Sequence, residues 1–113
     1  MEQQKQNLDD LQKEVDFVLS KPELTVKYFP PFEILAQMTE EAGEICREVS
    51  HKYGYKKKKT GENTEGLKAE IGDLLFTLIC LANSENISLQ EAYTMKIEKF
   101  KKRDVDRFTK KDL

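Results

Sequence analysis

The chain has 113 residues, of which 35% are charged and 38% hydrophobic, with three prolines, five glycines and no tryptophan. This length suffices for one domain with a modest core, and this composition is typical of helices whose outer faces are well solvated. The 19 basic and 21 acidic residues leave a formal net charge of -2, which excludes the general positive field that non-specific binding of duplex nucleic acid uses.

Membrane insertion and secretion are not expected from this sequence. No apolar run approaches the roughly 20 residues of a membrane-spanning helix, and the N-terminal MEQQKQNLDD lacks the features of a secretory signal. We therefore expect a cytoplasmic protein. Cys46 and Cys80 lie within apolar helical patterns, which predicts reduced core thiols rather than a disulfide or a zinc site.

Hydrophobic periodicity predicts a first helix from about Asn7 to Leu19. Its apolar residues recur at spacings near three and four, namely Leu8, Leu11, Val15, Phe17, Val18 and Leu19. Prolines at 22 and at 30–31 bracket the segment LTVKYF. Because the residue before a proline is pushed out of the helical region, this segment is expected to be a connector.

The second helix is predicted to begin at Pro31, because proline suits the first helical turn, and to end near Tyr53 before a glycine. One apolar stripe runs along it, formed by Leu35, Met38, Ala42, Ile45 and Val49. The chain has one histidine, His51, for which a helix-surface or capping role is expected. Residues 54–63 are polar and rich in glycine, which predicts an exposed loop.

A third helix is predicted from Leu67 to about Asn83, capped by Asn63 or Thr64 before it. Its apolar arc is the widest of the four, so it is expected to be the most buried helix. Ser88 opens a capping box that begins a fourth helix. We expect one all-α, four-helix, bundle-like domain over residues 1–113, with a core at about 32–103, a basic tail at 104–113 and completion by oligomerisation.

Two short acidic segments are the candidate metal-binding residues of this sequence. They are Glu41-Ala-Gly-Glu44 in the second helix and Glu70-Ile-Gly-Asp73 in the third. Residues i and i+3 lie about 60° apart on a helix, so each pair points two carboxylates in the same direction. Both pairs border apolar stripes. Burying an unpaired carboxylate beside such a stripe costs on the order of several kcal/mol. A hard cation removes this conflict, and Mg²⁺ suits a few carboxylates together with a phosphate.

A glycine precedes the second acid of each string. Glycine inside a helix costs about 1 kcal/mol relative to alanine, so Gly43 and Gly72 predict the close approach of another backbone. Tight helix packing alone is an alternative explanation of both glycines. The alternative for the acids is a solvated face, extended by Glu40 and Glu48.

The two strings together resemble a known family signature. The arrangement is Glu40-Glu41-x-x-Glu44, then 25 residues, then Glu70-x-x-Asp73, and it is similar to the Glu-x-x-Glu…Glu-x-x-Asp signature of MazG-type nucleotide pyrophosphohydrolases. The resemblance extends over residues 32–100, including LLFTLICLAN and the Lys-Phe dipeptide at 99–100. It is strongest to the short, single-domain bacterial members.

This resemblance implies an all-α homodimer or homotetramer that hydrolyses a nucleoside triphosphate to the monophosphate and pyrophosphate. It implies Mg²⁺, or Mn²⁺ in its place, on four acids, Glu41, Glu44, Glu70 and Asp73. The ion would neutralise phosphate oxygens and activate the water that attacks the α-phosphorus. Glu40, or one of the ligands Glu41 and Glu44, would orient that water.

Three bases follow one side of the fourth helix. Lys96, Lys99 and Arg103 are spaced i, i+3 and i+7, an arrangement that suits the oxygens of a triphosphate. The alternative for these three bases is a solvated basic face without a binding role. The lysine run at 56–59 is expected to be part of a solvated loop. Two other functions remain open at this point. One is a pyrophosphatase for phosphoribosyl-ATP or another phosphoanhydride, and the other is a non-enzymatic dimeric adaptor.

Overall fold

The computed structural model describes residues 5–54 and 66–104, and four α-helices lie within these two ranges. The helices are α1 (Leu8–Val18), α2 (Pro31–Tyr53), α3 (Gly66–Ser84) and α4 (Leu89–Asp104). These two ranges contain no β-strand. The all-α, four-helix prediction is therefore confirmed. The predicted loop beyond Gly54, its lysine run, the predicted cap of the third helix and the tail beyond 104 lie outside the described residues.

Local side-chain chemistry explains where the helices begin and end. Asn7 caps α1, because its side chain accepts a hydrogen bond from the Asp10 N–H at 2.9 Å while the Asp10 carboxylate accepts one from the Asn7 N–H at 3.0 Å. Pro31 is the first residue of α2, as predicted. The Ser88 hydroxyl accepts from the Glu91 N–H at 3.1 Å at the start of α4, which is the predicted cap.

The main helix pair is α2 against α3, and α1 packs against both α3 and α4. The buried hydrophobic core of the described chain is small and consists of Val15, Ile34, Ile79 and Ala82. Within the described residues, no helix combines the length and apolar composition needed to cross a bilayer.

α3 has the buried residues Thr77, Ile79 and Ala82, a larger share of its length than in the other described helices, as expected. Its apolar arc is nevertheless not fully covered in the single chain. Ile71 is 52% exposed, and Leu75, Phe76 and Leu78 are also exposed. The apolar arc of α3 is wider than the surface that α1 and α2 cover, so part of it faces outward. The same holds for α2, where Leu35 and Val49 of the predicted stripe are exposed.

Three residues of α2 differ from expectation because of the side of the helix on which they lie. Cys46 is exposed rather than part of the core. His51 is buried, and within the described residues its Nδ1 atom has no hydrogen-bond partner. Glu48 is also buried. Cys80 of α3 is half-buried, and burial raises the pKa of its thiol.

Glu48 joins the end of α2 to the beginning of α3. A Cβ atom on Gly66 would lie 2.5 Å from a carboxylate oxygen of Glu48, so the carboxylate lies directly over the first turn of α3. The first turn of a helix carries free N–H groups and a partial positive charge, both of which stabilise an anion. Glycine at position 66 leaves the room that this contact needs.

Candidate metal centre

The packing of α2 against α3 brings together three of the predicted acids. Glu41 comes from α2, and Glu70 and Asp73 come from α3. One carboxylate oxygen of each residue lies within 4.8 Å of the other two. An octahedral Mg²⁺ with ligands at about 2.1 Å separates its ligand oxygens by about 3 to 4 Å. Small side-chain rotations therefore bring these oxygens to ligand distance.

Negative charge is concentrated at this cluster. Partial burial, the hydrogen bond with Glu41 and the charges of Asp73, Glu41 and Glu44 raise the pKa of the Glu70 carboxyl. Among the described residues, no lysine or arginine forms an ion pair with Glu41, Glu70 or Asp73. Oxygen donors that repel one another and have no ion pair with a basic side chain in the described part of the chain fit a hard divalent ion.

Glu44 and Glu40 lie on α2 near Glu41 in the sequence, but neither is among the three converging carboxylates. Glu44 is close enough to affect the pKa of Glu70, but its carboxylate is outside the group of three oxygens. It lies 4.0 Å from the Nη1 atom of Arg47, one turn further along α2. Glu40 is exposed on α2. The roles of Glu44 and Glu40 at the site stay predictions.

The two glycines of the acid strings are not sites of close backbone approach within the described chain. A Cβ atom built on Gly43 or Gly72 has no neighbouring atom within 4 Å. The prediction that these glycines allow α2 and α3 to approach each other is therefore wrong for the single chain. The helices pack through other positions, and both glycines face open space.

A cavity of about 430 Å³ lies beside the acids and has Glu41 and Asp73 on its border. Its walls combine one cationic side chain, that of Lys27, with aromatic, aliphatic and uncharged polar side chains, including Tyr28, Phe29, Ile34, Gln37, Phe76 and Thr77. The Thr77 hydroxyl is already used, since it donates to the carbonyl oxygen of Asp73 at 3.0 Å. The cavity volume is within the range of small-molecule sites, about 300 to 1,000 Å³.

The predicted phosphate-binding bases lie elsewhere on the described chain. A second cavity, of about 390 Å³, is lined by Lys96, Lys99, Phe100, Lys102 and Arg103. None of these residues lines the cavity that borders the acids. Within the described part of one chain, the acids and the bases thus form two separate surfaces.

Comparison with known proteins decides the family. Residues 29–108 match the model of the MazG nucleotide pyrophosphohydrolase domain. The chain belongs to the MazG family. The uncharacterized protein YpjD of Bacillus subtilis (strain 168) is 47% identical to this MazG protein over 105 residues, which are 93% of each chain.

Two solved structures resemble this MazG protein. One is the crystal structure of Bacillus subtilis YpjD, described as a candidate pyrophosphatase, with a TM-score of 0.77 and 44% identity over 87% of this chain and 98% of that one. The other is the Bacillus-conserved MazG protein, a nucleotide pyrophosphohydrolase, with a TM-score of 0.73 and 38% identity over 87% and 93% of the two chains.

The family assignment identifies this MazG protein as a hydrolase that acts on nucleotide pyrophosphate bonds. It favours an enzyme over the non-enzymatic adaptor. MazG pyrophosphohydrolases generally depend on a divalent metal. Glu41, Glu70 and Asp73 are the group in the described part of this chain whose geometry suits such an ion.

Sequence reasoning missed the residues that form the cavity wall before α2. Leu24, Val26, Tyr28 and Phe29 belong to the segment between prolines, for which the sequence predicts only a connector. The signal that could have found them is composition, because apolar and aromatic side chains in a short non-helical segment have to pack against something.

Proposed function

We propose that this MazG protein hydrolyses nucleoside triphosphates to the monophosphate and pyrophosphate with Mg²⁺ as its cofactor. The observation that supports this most directly is the position of three converging carboxylates at the border of a cavity of small-molecule size. Acids that hold a cation would bind the phosphate end of the substrate. The adjoining apolar and aromatic walls would bind the nucleoside end.

Each acid has a role in this proposal. Glu41, Glu70 and Asp73 would hold the ion, and Glu44, from the next turn of α2, would complete the ligand set. An ion held there would neutralise phosphate oxygens and would make water a stronger nucleophile at neutral pH. Glu40 accepts a proton from that water. At the same time the water oxygen forms a bond to the α-phosphorus, and the bond between this phosphorus and the leaving pyrophosphate breaks.

We also propose that the active protein is a homodimer or homotetramer. Two observations support this assembly. Apolar residues of α2 and α3 are exposed on the single chain, and the acids and the bases of α4 lie on separate surfaces of it. A second copy of the chain would cover these exposed apolar residues and would bring its own Lys99 and Arg103 toward the acids.

The decisive experiment is a panel of canonical and modified nucleoside triphosphates, with phosphoribosyl-ATP included, assayed with Mg²⁺ in ¹⁸O-labelled water. The expected products are the monophosphate and pyrophosphate, with the label in the monophosphate because water attacks the α-phosphorus. Diphosphate and phosphate as the main products would contradict the proposed reaction. Turnover of phosphoribosyl-ATP alone would keep the reaction type but contradict the proposed substrate.

A further inference from the structure

A hydrogen-bond network centred on Tyr28 fastens the connector between α1 and α2. The Tyr28 hydroxyl donates to Oδ1 of Asp16 in α1 at 2.7 Å. It accepts a hydrogen bond from Nδ2 of Asn83, in the last turn of α3, at 2.9 Å. Lys27, the neighbour of Tyr28, pairs with the same Asp16 oxygen at 3.0 Å. The connector is thus attached to two helices at one point.

The partners of Tyr28 are themselves held in place. The Asn83 side chain accepts from Nε2 of Gln12 at 2.9 Å and donates to the Gln12 carbonyl oxygen at 3.0 Å. The Gln12 amide also donates to the carbonyl of Ile87 and accepts from the N–H of Leu89, both at 2.8 Å. The network therefore spans α1, the end of α3 and the turn into α4. Such a connected set of polar groups is rigid when each member is satisfied.

The connector has few other restraints. Leu24, Val26 and Phe29 are 45%, 50% and 48% exposed, so burial of their side chains stabilises the connector only partly. Yet these three residues, with Lys27 and Tyr28, line the cavity that borders Glu41 and Asp73. The position of this wall depends chiefly on the polar network.

We infer that Tyr28 is a positioning residue, whose hydroxyl holds the connector as the wall against which the nucleoside part of the substrate binds. The inference rests on the proposed function. Without the hydroxyl, Asp16 and Asn83 lose their shared partner and the connector gains conformational freedom. Substrate binding must then order the connector, which weakens binding. The acids belong to other parts of α2 and α3 and keep their geometry.

The test compares the wild type with Tyr28→Phe, Asp16→Ala, which removes the carboxylate that accepts from the Tyr28 hydroxyl, and the double variant. Tyr93→Phe is the matched control, because Tyr93 is an exposed tyrosine on α4. The first measurement is the NMR order parameter of the backbone amides at 24–29 without substrate. We expect it to fall in Tyr28→Phe and Asp16→Ala to about 0.6 or below, the value of a flexible backbone, and to be unchanged in Tyr93→Phe.

The second measurement is the steady-state kinetics of triphosphate hydrolysis. Ordering a few released residues costs enough to raise KM about 10-fold in Tyr28→Phe. We expect kcat and the Mg²⁺ concentration that gives half of the maximal increase in Tm to stay within about twofold, because neither step uses the hydroxyl. The double variant is expected to resemble the more affected single variant, since Tyr28→Phe and Asp16→Ala remove the same hydrogen bond between Tyr28 and Asp16.

Unchanged order parameters at 24–29 in Tyr28→Phe would overturn the inference, whatever the enzyme hydrolyses. A fall in kcat at constant KM, or additive effects in the double variant, would also overturn it. If the wild type does not hydrolyse triphosphates, the proposed function fails while the order parameters still decide whether Tyr28 positions the connector. Should Tyr28→Phe not fold, wild-type values of both measurements in Asp16→Ala would overturn the inference.

Discussion

At the scale of single residues, the carboxylates of the acid cluster are held in an unfavourable state that a cation would relieve. The raised pKa of Glu70 results from partial burial and from the neighbouring acids. Neutralising one acid removes part of this repulsion. We predict that Asp73→Asn and Glu44→Gln melt at the same or a higher temperature than the wild type without metal. Both variants should lose the Mg²⁺-induced increase in Tm, and the activity of each should fall about 100-fold or more.

Two other acids serve as comparisons in the same melting and activity measurements. Glu85→Gln changes an exposed acid beyond the end of α3, and it should behave like the wild type. Glu48→Gln should keep most activity and its response to Mg²⁺, but it should melt lower because Glu48 is a buried carboxylate over the first turn of α3. Wild-type hydrolysis by both Asp73→Asn and Glu44→Gln would contradict the proposed metal centre.

Ionisation of Tyr28 should lower the stability of the folded chain at alkaline pH. Burial, followed by the hydrogen bond to Asp16, raises the pKa of Tyr28 from 10.0 to about 12. Because the folded state holds this proton more tightly, its contribution to stability is complete below about pH 10 and is lost as the pH rises through 12. Between these values the Tm of the wild type should fall more steeply than that of Tyr28→Phe. Parallel curves from pH 8 to 12 would show that the hydroxyl does not titrate in this way.

At the scale of the helices, two glycines of α3 should respond in opposite ways to substitution by alanine. A Cβ at position 66 meets the Glu48 carboxylate at 2.5 Å, whereas one at position 72 meets no atom within 4 Å. Gly66→Ala should therefore lower the free energy of unfolding. Gly72→Ala should raise it by about 0.5 to 1 kcal/mol, because alanine is the better helix former. Urea denaturation without metal measures both, and a destabilised Gly72→Ala would reveal a contact outside the described chain.

The basic surface of α4 is predicted to bind the triphosphate. Each charge-assisted hydrogen bond is worth about 1.5 to 3 kcal/mol, so Lys99→Ala and Arg103→Ala should each lower kcat/KM about 10-fold or more. Helix content, measured by circular dichroism, should be nearly unchanged because both side chains are exposed. Lys101→Ala is the control, since Lys101 is exposed on the same helix but does not line the basic cavity. Full activity of both test variants would remove these bases from the site.

At the scale of the whole molecule, the single chain has too little buried apolar surface to be expected alone in solution. Its described core has four hydrophobic residues, while Ile71 and its neighbours on α3 are exposed. We predict a particle of at least twice the chain mass of 13.2 kDa in analytical ultracentrifugation, because covering this face stabilises the assembly. Ile71→Glu should dissociate it. A stable wild-type monomer would contradict the prediction.

Local chemistry explains how much of this protein was predictable from its sequence. The beginnings of α1, α2 and α4 depend on Asn7, Pro31 and Ser88, and each acts on backbone groups within a few residues of itself. The acid pairs were identifiable for the same reason, since helical periodicity determines the direction of residues three apart. The family followed from these motifs.

Tertiary packing decided which side of each helix is covered. Cys46 is exposed and His51 is buried on the same helix, because α3 covers only one side of α2. The cavity wall depends on Tyr28 and Asn83, whose hydrogen bond joins residues 55 positions apart. The meeting of Glu41 with Glu70 and Asp73 likewise required α2 and α3 to pack in one orientation. Helical periodicity describes each helix by itself, whereas these contacts result from the way the helices cover one another.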